Sequence, residues 1–132
     1  MPGSRTARDS SPLVLVVEHD RHTREMYSQF LSHSGFRVAE AQHVEDGWEK
    51  ARALKPAVIT TGIGFESGDD GCVLVERLKN DEHTSDIPIV VVTAWVLGGH
   101  VERAKRAGCD AVLLKPCAPT TLVSEIRRLL GF

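Results

Sequence analysis

Short apolar runs alternate with amphipathic stretches along the chain. Leu13-Val14-Leu15-Val16-Val17 is an unbroken aliphatic run, the pattern of a strand covered on both faces. Asp20 follows where a helix N-cap belongs. Met26, Tyr27, Phe30 and Leu31 then recur at helical spacing, and Gly35 stands where a helix ends in a left-handed turn. Residues 36–41 read as a second, shorter strand. Residues 43–54 read as a helix with Val44, Trp48 and Ala51 on one face, and residues 57–61 as a third strand. Residues 62–71 hold Gly62, Gly64, Gly68 and Gly71 with three acids, which predicts a long loop. A helix over 73–80 turns Leu74, Val75 and Leu78 inward, and Ile89-Val90-Val91-Val92-Thr93 is the strongest strand signal of all. Residues 100–107 form a helix closed by Gly108, residues 111–114 a fifth strand, and residues 120–130 a last helix with Leu122, Ile126, Leu129 and Leu130 inward.

Five strands, each followed by a helix, make a (βα)5 chain. Strands apolar on both faces and joined by helical crossovers require a parallel sheet with helices on both sides, an α/β doubly wound, flavodoxin-like fold of five strands. In such sheets the loops at the C-terminal strand ends gather to form the site. The places to look are therefore Glu18-His19-Asp20, the 62–71 loop, Thr93-Ala94 and Lys115-Pro116.

Composition narrows the class. The chain has 132 residues, 42% of them hydrophobic, enough for one domain with a real core and no staples. Residues 1–11 lack large apolar side chains apart from the initiating Met and read as a disordered tail, leaving residues 12–132 as the domain. Sixteen Lys and Arg against 18 Asp and Glu give a net charge of −2, which argues against direct nucleic-acid or membrane binding. No apolar run is long enough to span a bilayer, and no secretory signal opens the chain. Three widely spaced cysteines, Cys72, Cys109 and Cys117, suit a reduced cytoplasmic protein better than a disulfide framework or a zinc site.

Three short motifs then fall in order on the right elements. Val-Val-Glu-His-Asp ends strand 1, Pro-Ile-Val-Val-Val-Thr-Ala spans strand 4, and Ala-Gly-Cys-Asp-Ala-Val-Leu-Leu-Lys-Pro spans strand 5. Together they resemble the response-regulator receiver domain of two-component signalling, over nearly the whole chain from Pro12 to Phe132. The resemblance implies strand order 2-1-3-4-5, an acidic pair after strand 1, a switch Thr at Thr93 and a functional Lys at Lys115. It also implies a phosphoryl-accepting Asp at the end of strand 3. Counting from Pro56 puts Gly62 at that place, and counting back from Gly71 gives Thr61 or Gly62 across a loop one residue longer than usual. Neither count yields a carboxylate.

Phosphoryl transfer to a receiver needs an Asp oxygen as nucleophile and Mg²⁺ to screen the incoming charge. Here Gly62 stands for the acceptor and His19 for the second strand-1 acid; Glu18 keeps the first acidic place and Asp20 comes one residue later. The expectation is a degenerate phosphorylation site made of Gly62, Glu18, His19, Asp20, Thr93 and Lys115, with the Mg²⁺ site lost, no cofactor, no metal and no catalytic residue. Lys115 is left to pair with Glu18 or Asp20, or to face water. Val112 replaces the aromatic switch residue three before Lys115, which damages the relay at its output as well.

The expected function is a stand-alone receiver-type signalling protein, with no output domain after Phe132, that acts by protein–protein contact in a bacterial pathway without phosphorylation. Trp95, Val96 and Leu97, with Val101, Val112 and Cys117, would form an apolar partner surface. The resemblance places partner contact or homodimerisation there, on the fourth helix, fifth strand and last helix. The alternative that Trp95 folds over its own core stays open. Other readings are a working relay with Asp69 or Asp70 as displaced acceptor, a flavodoxin-like ligand-binding or enzyme domain, and an inert dimerisation module. Glu18, His19 and His22 could ligate a transition metal, against a plain solvated cluster at the strand end. Thr60 and Thr61 point to opposite faces, so at most one reaches the site. Cys109 and Cys117 read as small, partly buried hydrophobes.

Overall fold

The computed structural model describes residues 11–64, 70–94 and 97–132. Five strands, β1 (Leu13–Val17), β2 (Arg37–Ala41), β3 (Val58–Thr61), β4 (Ile89–Thr93) and β5 (Ala111–Leu114), form one sheet in the order β2-β1-β3-β4-β5. Every pairing is parallel. Between and after them run α1 (Arg21–His33), α2 (Val44–Leu54), α3 (Gly71–Lys79), α4 (His100–Ala107) and α5 (Pro119–Leu130). The predicted fold class is the observed one. The tail expected over residues 1–11 falls, but for Ser11, outside the described residues, as do Asp69, Trp95 and Val96.

Alternation along each strand divides the core in two. Leu15, Val17, Ile59 and Val91 point to one face and pack with Val44 and Ala51 of α2, Leu74, Val75 and Leu78 of α3 and Ala104 of α4. Val14, Val16, Val58, Val90 and Val92 point to the other and meet Tyr27 and Leu31 of α1 and Leu122, Val123 and Ile126 of α5. Each face excludes water from a separate apolar layer, which is why β1, β3 and β4 carry no polar alternation. The two outer strands differ. β5 is an edge, only half-buried, and its Leu114 is 54% exposed.

Caps fix the helix starts. The Asp20 carboxylate accepts from Thr23 N at 2.9 Å, and that of Asp70 from Cys72 N at 2.8 Å. His43 is not helical but caps α2, its Nδ1 accepting from Asp46 N at 3.3 Å. α3 begins at Gly71 rather than Val73 because Asp70 caps it, and α5 begins at Pro119, where a missing N–H costs nothing. Met26, expected inward on α1, is 43% exposed; Tyr27 and Leu31 take the buried positions and Phe30 packs beside them.

Gly71 is fixed by close approach. A Cβ there would lie 1.8 Å from the carbonyl oxygen of Gly62, and Gly71 N donates to Ile63 O at 2.7 Å. Main chain cannot swing aside as a side chain can. Gly71→Ala is therefore expected to cost at least about 2 kcal/mol in urea unfolding, in the range of overpacked interiors.

Candidate functional site

The site lies where β1, β3, β4 and β5 end together. Val17 pairs with Thr61 and Thr93 with Leu114, so the next residues along, Glu18, Gly62 and Lys115, converge at one rim. Glu18 N donates to Ala41 O at 3.0 Å, Gly62 N to Val17 O at 3.3 Å and Lys115 N to Thr93 O at 2.9 Å, which extends the ladders by one residue. The order and register thus put Gly62 one residue past the end of β3, level with Glu18 at the end of β1.

Glu18 is the centre of this rim. It is 4% exposed, so the solvated strand-end cluster expected for it is not what forms. Its Oε1 accepts from Lys115 Nζ at 2.8 Å. Its Oε2 accepts from Asp20 N at 3.1 Å and lies 3.3 Å from His19 Nδ1. Of the three possibilities open for Lys115, the pair with Glu18 is the one formed. A carboxylate taken out of water needs such partners on both oxygens. Arg24 of α1 holds the backbone beneath, its Nη1 donating to Glu18 O at 2.8 Å.

Asp20 does not belong to this cluster. Its side chain caps α1, accepting from Thr23 N and, at 2.6 Å, from Thr23 Oγ1, and these bonds hold its carboxyl below the usual carboxylate range. Thr93 is buried at the rim. Thr60 and Thr61 are both buried, and Thr61 Oγ1 donates to Gly62 O at 2.9 Å. Among the described residues, a Cβ added at Gly62 would meet Val92 O at 3.7 Å, an ordinary van der Waals contact.

The residues present do not fit Mg²⁺. The ion wants several hard oxygens in octahedral geometry. Gly62 has no side chain to offer, His19 offers an imidazole, and both Glu18 oxygens already have donors. Among the described residues no group of three or more His, Cys, Asp or Glu is arranged to hold a metal ion, and Glu18, His19 and His22 form no such group. Asp70 is likewise committed: one oxygen caps α3 and the other receives Arg103 of α4. Asp69 lies outside the described residues.

Two clefts of about 480 Å³ open among the described residues, the second adjoining this rim through Arg24 and Ala41. One is beside Trp48, Arg52 and His83, the other beside Arg24, Glu40 and Lys50. Beside the first, Arg77 stacks on its lining Trp48 at 4.4 Å and pairs with Glu45, while Arg52 of the lining pairs with Asp81. These cations bridge α2 to α3 and its following loop, so the cleft is explained without a ligand.

Of the residues expected at a partner surface, Leu97, Val101, Val112 and Cys117 lie among the described residues. Leu97 is 83% exposed, and Leu114, which the sequence reading left out, joins it in exposing a large apolar side chain. Val101 is half-buried. Val112 and Cys117 pack into core layers on opposite faces of the sheet, because β5 turns Val112 toward α4 while Cys117 lies past the strand, near α1. Cys109 and Cys117 are half-buried and burial pushes both thiols up, as inert small hydrophobes should be.

Sequence reasoning also missed Arg24, Tyr27 and Arg103. Arg24 stands one helical turn past the Asp20 cap, a spacing that returns it to the strand end; the long-range contacts of Tyr27 and Arg103 leave no local signal. The Tyr27 hydroxyl donates to Cys117 O at 3.3 Å, tying α1 to the turn that carries Lys115. Burial pushes this phenol up to about 12. Absorbance titration of the chain's single Tyr is expected to show ionisation near that value instead of near 10. Because the folded value is raised, the contribution to stability is complete below the unfolded value and is lost as pH rises through the folded one.

Comparison with known proteins agrees with this fold. Residues 14–127 match the family described as response regulator receiver domain. The polar-differentiation response regulator DivK of Brucella anthropi is 25% identical over 118 residues, covering 89% of this chain and 95% of DivK. Response regulator Rre1 of Synechocystis is 30% identical over 119 residues, but the match spans 51% of Rre1. Among solved structures, the CheY-like receiver domain protein of Methanospirillum hungatei superposes with TM-score 0.86 at 22% identity, over 92% of this chain and 95% of the other. CheY4 of Vibrio cholerae gives 0.83 at 23% identity, over 91% and 99%. With a family match over most of its length and the matching strand order, the chain belongs to the response regulator receiver domain family of two-component signalling.

Proposed function

We propose that this receiver is a pseudo-receiver: it signals by protein–protein contact and takes no phosphoryl group. One observation carries the reading. The strand end that must offer an aspartate offers Gly62, and Glu18, the nearest remaining carboxylate of the rim, is bound to Lys115 at 2.8 Å. Lys115 and Thr93, which the family uses to hold phosphoryl oxygens, keep their places, but Lys115 is neutralised from within. Ion pairing here supplies the charge balance that metal and phosphate supply elsewhere in the family. No nucleophile, metal or cofactor is required, and the domain is not an enzyme.

The partner surface in this reading is the α4-β5-α5 side, with Leu97 and Leu114 as its open apolar side chains. Its occupant is a protein of a bacterial signalling pathway or a second copy of the chain. No described helix is long and apolar enough to cross a membrane. A displaced acceptor at Asp70 is disfavoured because both of its oxygens are engaged.

Incubation with a small-molecule phosphodonor and Mg²⁺, followed by intact mass, tests the reading. The expected mass is unchanged. A gain of one phosphoryl group, mapped to Asp69 or Asp70, replaces it with the displaced-acceptor relay. Sedimentation of the parent and of Leu114→Asp tests the surface: self-association that the charge abolishes selects the second copy, and a monomer in both selects a heterologous partner.

A further inference from the structure

We infer that Arg103 is a clasp that keeps α4 seated on α3, and that α4 is the segment of this fold that opens as a unit. The clasp stands on the contacts of α4 alone, and its signalling meaning rests on the pseudo-receiver reading.

α4 is the helix held least by apolar burial. It has eight residues, and Ala104 is its one fully buried side chain. α5, by contrast, buries Leu122, Val123 and Ile126, and α3 buries Cys72, Leu74, Val75 and Leu78. A helix this short is not stable on its own and depends on what it docks against. Its start adds nothing: Gly99 supplies no side-chain cap, and Gly98 and Gly99 both sit at positive φ. The C-terminal end, by contrast, is closed by Gly108, whose N–H returns to Lys105 O.

The attachment is polar. Arg103 Nη1 donates to Asp70 Oδ2, and its Nε lies 3.6 Å from Glu76 Oε1, so one guanidinium from α4 bridges two acids of the α3 segment. Asp70 Oδ1 meanwhile caps α3. The same carboxylate therefore starts one helix and anchors the next. Beneath the bridge the Cys72 thiol, fully buried, donates to His100 O at 3.6 Å. Lifting α4 breaks this contact and uncovers Cys72, which makes the thiol a built-in reporter of the motion.

The test uses the full chain with Cys109→Ser and Cys117→Ser, so that Cys72 is the only thiol. Its alkylation by iodoacetamide is followed with and without Arg103→Ala. Expected is an acceleration of tenfold or more that does not change with low urea, the mark of local opening, and that Arg103→Lys partly reverses. Thiolate chemistry cannot produce it. Burial raises the Cys72 thiol to about 11 and the Arg103 charge lowers it, so removing the arginine slows the intrinsic reaction. A second measurement needs no arginine variant: in about 1 M salt, where the screening length is ~3 Å, the parent reacts faster too. An unchanged rate in both measurements, or an acceleration that climbs with urea as global unfolding does, overturns the clasp. A phosphorylated parent in the mass experiment would remove the signalling meaning and leave the thiol result standing; an unchanged thiol rate would remove the clasp and leave the pseudo-receiver reading intact.

Discussion

The His19→Asp/Gly62→Asp protein gains the mass of one phosphoryl group from a small-molecule phosphodonor with Mg²⁺, while the parent gains none. The substitution at Gly62 is sterically open among the described residues: its Cβ would meet Val92 O there at 3.7 Å, ordinary contact, and Gly62 is not among the residues at positive φ. The carboxylate so introduced stands one residue past the Val17–Thr61 pair, beside Glu18. The second substitution returns an oxygen ligand where the imidazole of His19 stands, giving Mg²⁺ the hard donors it requires. Thr93 and Lys115 are already placed. Lys115 then has two carboxylates to choose between, which loosens its hold on Glu18. Gly62→Asp alone is expected to be modified weakly, because nucleophile and metal act together in screening the incoming charge. If neither variant accepts a phosphoryl group, the rim is degenerate beyond the two positions named, and the loop one residue longer becomes the next suspect.

Lys115→Met destabilises the fold by about 3 kcal/mol in urea unfolding, and Glu18→Gln by much less. The asymmetry follows from burial. Glu18 is 4% exposed and cannot reach bulk water when its partner is removed, so the loss is that of an uncompensated buried charge. The Lys115 side chain is 28% exposed, and its ammonium turns to solvent when Glu18 becomes neutral. The double variant Glu18→Gln/Lys115→Met therefore recovers most of the loss, since taking away both members of a buried pair is far cheaper than taking away one. Equal losses in the two single variants would show that Glu18 is held chiefly by His19 and the Asp20 amide, and that the Lys115 contact is incidental.

Much of the fold was legible because the strands that decide it are locally unambiguous. Leu13–Val17 and Ile89–Thr93 are aliphatic without interruption, and only a sheet covered on both sides hides them. Helix ends followed from Asp20, Gly35 and Gly108, whose capping and positive φ act over a few residues. Where the reading slipped, the deciding contact was distant. Met26 and Tyr27 are neighbours on α1, and their roles separate because α1 docks with Tyr27 turned into the layer of Val14, Val16 and Leu122, where its hydroxyl reaches Cys117 O, ninety positions away. Leu114 looks inward by composition and is exposed because β5 is an edge.

The sequence by itself determined that this chain is a five-stranded parallel receiver domain and that no carboxylate ends its third strand, since both follow from residue type and order. Only the tertiary structure decided where the remaining charges go. Lys115 and Glu18 are 97 positions apart, and Arg103 and Asp70 are 33 apart. Which acid each cation meets depends on strand register and on how α4 is docked, quantities that no local pattern encodes.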